Sequence, residues 1–378
     1  MAERGANSRT TGVYTQVNED RPTVRNEVMP SAVGSCLVVG PAWVGDMVMA
    51  QTLFKLLRQQ NPERAIDVLA PAWSLPLLAR MPEVRRAIAI PLGHGKLELG
   101  VRYRLGRELR SARYDQAILL PNSFKSALTP WFANIPQRTG WRGEMRYGLL
   151  NDRRQLDKQR YPLMVQRFAA LAYPIGAELP AQLPPPTLTI DETARARLLQ
   201  QHGLDVQQPL LALCPGAEFG PSKRWPTAHY AATATAMIER GWRVALFGSA
   251  NDRAVAEQII ALMPASAGTS VVNLAGTTKL EEAIDLLSAA TAVVSNDSGL
   301  MHIAAAVGRP LVVVYGSTSP TFTPPLAEQV KILQLPVDCG PCFQRECPLG
   351  HHKCMQELTP ARALDALQQL LPQVLELQ

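Results

Sequence analysis

The chain has 378 residues, 47% of them hydrophobic and 19% charged, with a formal net charge of +6. That is the composition of an ordinary soluble globular protein, long enough for two domains with a core each. No apolar run reaches the ~18 residues that a bilayer span requires.

The charge is lopsided. Residues 1–185 hold 25 Lys and Arg against 15 Asp and Glu, a net of +10. Residues 186–378 hold 13 against 17, a net of −4, and the two sum to +6. A basic half suits an anionic acceptor, a membrane surface or nucleic acid, with a solvated surface as the plain alternative. Residues 1–32 carry Glu3, Arg4, Arg9, Glu19, Asp20, Arg21, Arg25 and Glu27 and no apolar h-region. They read as a disordered extension and not an export signal, so a cytoplasmic location is expected.

The first element is a short apolar strand, 35–40, followed by the turn Pro41-Ala42-Trp43-Val44-Gly45-Asp46. Helical spacing runs from Met47 to Gln60, with strands at Ala65–Leu69 and Ala117–Leu120. Strands alternating with helices predict βαβ units and a parallel sheet. Four prolines in eight residues, 179–186, make a stiff connector and mark the domain boundary. The second half repeats the pattern, with strands at 210–214, 243–247, 271–274, 292–295 and 311–315 and helices at 227–240, 254–262 and 280–289. A last helix begins at Thr359-Pro360 and runs to about Leu371. The segments are thus an extension (1–32), a first Rossmann-like domain (33–180), a second (187–358) and a C-terminal helix (359–378). Two such domains would place both sets of strand ends at one crevice.

Two strand-end loops in the second half are rich in chemistry. In Ser295-Asn296-Asp297-Ser298-Gly299-Leu300-Met301-His302 a β-branched run feeds an Ala-rich helix, whose N-terminus favours an anion. Pro215-Gly216-Ala217-Glu218-Phe219-Gly220-Pro221-Ser222-Lys223-Arg224-Trp225-Pro226 follows the strand at 210–214. Two such loops suggest a nucleotide diphosphate held between them. Neither a GxGxxG fingerprint nor a Walker A lysine motif occurs, which weighs against a dehydrogenase or an NTPase.

These loops, together with Gly40–Asp46, Pro121-Asn122-Ser123-Phe124-Lys125-Ser126 and Gly140-Trp141-Arg142-Gly143-Glu144-Met145-Arg146-Tyr147, resemble the heptosyltransferases of glycosyltransferase family 9. The likeness runs from about residue 36 to the C-terminus. It implies an α/β fold of GT-B architecture, two Rossmann-like domains facing across a cleft. It further implies inverting transfer of L-glycero-D-manno-heptose from ADP-heptose to the first heptose of the Kdo2–lipid A inner core. The partners would be that donor and that acceptor at the inner membrane face, with no nucleic acid. No cofactor is expected, since no Asp-x-Asp metal motif is present.

The resemblance places a catalytic base at Asp46 and a phosphate-binding lysine at Lys223. An N-cap role is the alternative for Asp46. Donor contacts are expected from Glu218, Ser222, Asp252, Thr278, Asn296, Asp297, Ser298, Gly299 and His302, with a core histidine as the alternative for His302. Asp297 would repel phosphate, so it should face sugar hydroxyls or anchor its loop. Acceptor anions would meet Lys125, Arg142 and Arg146, beside Arg138 and the loop at His94-Gly95-Lys96.

Cys339-x2-Cys342-x4-Cys347-x6-Cys354 is compact enough for a structural zinc or iron site; free thiols and disulfides are the other readings. Cys36 and Cys214 fall in strands, as core thiols do. Two rival functions remain: another GT-B enzyme such as a nucleotide-sugar epimerase, or a non-enzymatic nucleotide or nucleic-acid binder. Aromatics at only 6% argue against the last.

Overall fold

The computed structural model describes residues 34–91, 96–204 and 207–372; the extension at 1–32 and the tip His94-Gly95 lie outside them. The first half runs β1 (Ser35–Val39), α1 (Val44–Gln60), β2 (Ala65–Pro71), α2 (Leu75–Leu78), β3 (Arg86–Ile90), α3 (Leu99–Leu109), β4 (Gln116–Leu119), α4 (Leu128–Phe132), β5 (Gln137–Trp141), β6 (Asp152–Arg154) and α5 (Met164–Ala169). The second runs α6 (Glu192–Gln201), β7 (Leu210–Cys214), α7 (Thr227–Ile238), β8 (Arg243–Leu246), α8 (Arg253–Ala261), β9 (Val271–Asn273), α9 (Leu280–Ser288), β10 (Ala292–Asn296), α10 (Gly299–Ala306), β11 (Leu311–Tyr315), β12 (Val330–Gln334), α11 (Lys353–Gln356) and α12 (Pro360–Leu370).

Each half builds one six-stranded sheet, ordered β3-β2-β1-β4-β5-β6 and β12-β11-β10-β7-β8-β9. Every strand pair is parallel. Counted within its own half, the second order is the first read backwards, so both sheets have Rossmann-like topology. The chain reverses direction across the sheet between β1 and β4 and again between β7 and β10. Such switch points leave a crevice at the strand carboxyl ends, where ligands bind. Strands β1, β7, β10 and β11 are buried along their whole length, as parallel strands covered on both faces must be. The strands absent from the sequence reading, β3, β5, β6 and β12, are shorter, more polar or at sheet edges.

One apolar cluster runs from the first sheet through α1 to α10 and the second sheet. Helix α12 packs on the second sheet's other face, with Ala363, Ala366 and Leu367 among the residues of α7. Between the halves, Arg80 pairs with buried Asp285 at 2.6 Å. The proline-rich connector is strapped to α1: Thr52 Oγ1 donates to Pro184 O at 2.8 Å and Lys55 Nζ to Pro185 O at 2.6 Å. Gln51 and Thr187 exchange two hydrogen bonds, at 2.7 and 2.9 Å. Among the described residues no helix is long and apolar enough to cross a membrane.

Candidate functional site

The buried run of β1 ends at the turn 40–43, and α1 begins at Val44. Asp46 is therefore the third residue of the helix. The N-cap position belongs to Trp43, whose side chain makes no capping bond, so the capping role weighed for Asp46 is corrected. A carboxylate in the first turn still favours the helix dipole. Asp46 makes no hydrogen bond with another described residue, and its oxygens stay available.

On the other sheet, the loop after β7 carries Lys223. Its Nζ donates to Asp297 Oδ2 at 2.5 Å, and Thr318 Oγ1 donates to the same oxygen at 2.6 Å. Asp297 thus takes the anchoring position, fixing the lysine at the foot of α10. The Lys223 ammonium also lies 5.0 Å from the Phe219 ring centroid, within cation–π range. Helix α10 starts at Gly299 with Ser298 as its N-cap, and no side chain caps it.

The two half-sites meet. A Cβ at Gly45 would come 2.6 Å from Cδ2 of His302, and a Cβ at Gly299 would come 2.7 Å from Val44 Cβ. Only glycine lets the first turns of α1 and α10 touch this closely. Two uncapped helix N-termini therefore share one seam, a positive locus suited to an anion. Burial, offset in part by Lys223 and reinforced by Asp297, raises the Asp46 carboxyl to about 6. Burial lowers His302 to about 4, so its imidazole is neutral near pH 7. Asp46 of the first half thus shares an electrostatic field with Lys223 and Asp297 of the second.

Several residues expected at the donor brace loops in this structure. Asn296 is buried; its Oδ1 accepts from the Trp225 N–H and the Tyr230 hydroxyl, both at 3.0 Å, and its Nδ2 donates to Pro215 O at 2.7 Å. With its polar atoms spent, it ties the β7 loop to β10. Ser222 is buried too, its Oγ donating to Gln344 O at 2.5 Å beside Ser317 Oγ. The Asp252 carboxylate accepts from Ser249 N–H and Oγ at 2.9 and 2.8 Å and lies over Gly216. Thr278 Oγ1 reaches only Leu274 O, at 3.4 Å. Glu218 is exposed on the loop, and Ser298 and Gly299 are half-buried at the α10 start.

On the first half, Arg142 is exposed and Lys125 half-buried, at the ends of the adjacent strands β5 and β4. Arg146 corrects the expected basic surface. It is 1% exposed and donates to Pro121 O at 2.8 Å, to Asn122 Oδ1 at 3.3 Å and to Trp141 O, pinning the two loops together. Arg138 likewise bonds Leu149 O and Ile135 O.

Sequence reading missed four groups: Thr318, which holds Asp297; Phe219; Arg345, whose guanidinium lies 5.7 Å from the Phe219 centroid; and the exposed Trp43, Phe124, Met145 and Tyr147 on strand-end loops of the first sheet. Thr318 was findable, because Gly316-Ser317-Thr318 is a third polar turn following an apolar strand.

All six cysteines are free thiols, Cys36 and Cys214 buried in their strands. Among the described residues no group of three or more His, Cys, Asp or Glu side chains is gathered closely enough to hold a metal ion as it stands.

Comparison with known proteins agrees with this geometry. The family model for glycosyltransferase family 9 (heptosyltransferase) matches residues 102–353. Lipopolysaccharide heptosyltransferase 2 of Salmonella typhimurium is 51% identical over 340 residues, covering 89% of this chain and 98% of that protein. Lipooligosaccharide heptosyltransferase 2 of Haemophilus influenzae is 50% identical over 345 residues, covering 89% and 99%. The solved structure of E. coli ADP-heptose lps heptosyltransferase II superposes with a TM-score of 0.82 at 48% identity, covering 90% of this chain and 99% of that one. The epimerase and the non-enzymatic binder are thereby disfavoured, and the chain belongs to glycosyltransferase family 9, the heptosyltransferases.

Proposed function

We propose that this chain transfers L-glycero-D-manno-heptose from ADP-heptose to the first heptose of the Kdo2–lipid A inner core, by a single displacement with inversion. The lobe at 33–180 takes the acceptor and the lobe at 187–358 the donor. One observation carries the reading. An unbonded carboxylate on α1, Asp46, shares an electrostatic field with a fixed lysine, Lys223, across a seam where two helix N-termini converge.

The ADP diphosphate lies at the α10 N-terminus, where the N–H groups of Ser298 and Gly299 and the Lys223 ammonium meet it. As the glycosidic bond breaks, negative charge grows on the leaving phosphate. A lysine held in place by Asp297 and Thr318 stabilises that charge more in the transition state than before it. Asp46 removes the proton of the attacking acceptor hydroxyl. Its raised pKa makes it a better proton acceptor than an ordinary carboxylate, and it remains ionised near pH 7. Lys125 and Arg142 meet acceptor carboxylates or phosphates, and the exposed Trp43, Phe124 and Tyr147 offer faces for its sugar rings. The enzyme works in the cytoplasm as a visitor to the inner membrane face, drawn there by its basic half.

The test is incubation with ADP-heptose and acceptors truncated at defined core positions, read by mass. One heptose should be added to an acceptor that already carries one, and none to bare Kdo2–lipid A. The reverse preference, or release of free heptose without transfer, overturns the proposal.

A further inference from the structure

The segment 337–354 takes no part in the chemistry above, yet it is built around sulfur. Cys339, Cys342, Cys347 and Cys354 line one small pocket, together with Gly340, His351 and Ser317. Cys342, Cys347 and Cys354 are half-buried. As they stand, the four thiols are not gathered closely enough to hold an ion. The turn after Cys347 is closed by the Gly350 N–H, which donates to Cys347 O at 3.1 Å, and Gly350, at φ +67°, and His352, at φ +46°, supply its left-handed residues. His351 accepts the Lys353 N–H at its Nδ1, at 3.0 Å, which turns its Nε2 toward Cys339 Sγ, 4.0 Å away.

We propose that this pocket takes one thiophilic metal ion, zinc or ferrous iron, which draws Cys339, Cys342, Cys347 and Cys354 into a tetrathiolate. Four sulfurs and no carboxylate form the donor set for such an ion, not for magnesium or calcium. Metal–sulfur bonds of about 2.3 Å require the four side chains, which already line one cavity, to turn inward together.

The site has a clear task, because the same segment holds the loop that carries Lys223. Ser222 N–H donates to Arg345 O at 3.2 Å and its Oγ to Gln344 O; Phe343 N–H donates to Ser317 O at 2.7 Å. Gly220 lies against the Arg345 carbonyl with no room for a side chain. The tetrathiolate is thus a staple behind the diphosphate loop. That task rests on the transferase reading; the metal site itself does not.

The experiment uses full-length protein purified under reducing conditions without a histidine tag, with metal measured per chain by plasma mass spectrometry. Close to one zinc or iron per chain is expected, falling below a tenth in Cys342→Ser and in Cys354→Ser and unchanged in Cys214→Ala. Where the serine variants fail to fold, mercurial displacement of metal from the wild-type chain replaces them. Cobalt added to the stripped protein should then give the thiolate charge-transfer bands of tetrahedral CoS4. Loss of metal should weaken ADP binding at least tenfold, and zinc or ferrous iron should restore it. Metal-free protein with four thiols freely reactive in the native state overturns the site, as do disulfides among these cysteines or a metal count unchanged by both serine variants. A metal count of one with ADP affinity indifferent to its removal overturns the staple and leaves the site standing.

Discussion

Gly45 and His302 stand on opposite halves of the chain, and a Cβ at position 45 would lie 2.6 Å from the imidazole Cδ2. The histidine is buried, so it has no room to retreat. Gly45→Ala should push α1 away from α10 and carry Asp46 with it. At least a tenfold fall in kcat/KM is expected, with a circular dichroism spectrum like that of the parent, because a displacement near 1 Å is enough to spoil alignment. Equal kinetics in parent and variant would mean the seam is not set by this contact.

Asp46→Asn should retain ADP affinity within about twofold and lose turnover by roughly 10²–10⁴, the contribution of a general base. The same change should raise stability at pH 7, on the order of 1–3 kcal/mol, since a carboxyl pushed up to about 6 is ionised there at a cost to the fold. Calorimetry and a mass-based transfer assay on one preparation read both. A variant that is less stable and fully active contradicts the assignment.

The pH dependence follows in sign. A base with a pKa of about 6 is protonated below it, so kcat/KM should fall tenfold per unit as pH drops below about 6 and level off above 7. A rate profile flat from pH 5 to pH 8 is the contrary result.

Lys223→Ala should weaken ADP binding by about 10–100-fold and destabilise the chain by roughly 3–5 kcal/mol, because Asp297 would remain buried with only Thr318 as partner. Lys223→Ala with Asp297→Ala should recover much of the stability and none of the ADP affinity. Calorimetric titration and thermal melts separate the two effects. Recovery of affinity in the double variant would count against a phosphate role for the lysine.

Two arginines, four residues apart, should behave in opposite ways. Arg146→Met strands several carbonyls and should cost roughly 2–4 kcal/mol of stability. Arg142→Ala, at an exposed position, should leave the melting temperature within about 1 °C and raise the acceptor KM severalfold. Acceptor titrations and melts on both variants check this.

The alternation of apolar strands and amphipathic helices made both sheets legible in the sequence, because parallel strands buried on two faces read as unbroken apolar runs. Edge strands such as β6, with the polar sequence Asp-Arg-Arg, carry no such mark. The seam residues Asp46, Lys223 and Asp297 were singled out by the family resemblance together with their place after strands. What was not legible was the use of each polar side chain. Asn296 and Arg146 have the same chemistry as ligand-binding residues, and only three-dimensional neighbours show that backbone carbonyls and amides already occupy them. Nor does one-dimensional order reveal that Thr318 and Lys223, 95 residues apart, share a single carboxylate oxygen.

The strap of prolines along α1 has a mechanical corollary. Helix α1 carries Asp46 at one end and, from Gln51 to Lys55, the moorings of the connector. Leu188 N–H then bonds to Ala306 O in the second half, while Thr189 N–H bonds back to Arg80 O in the first. The crossing between the halves is confined to a few peptide units, so parting the halves there would carry Asp46, on α1, away from the α10 N-terminus in one movement.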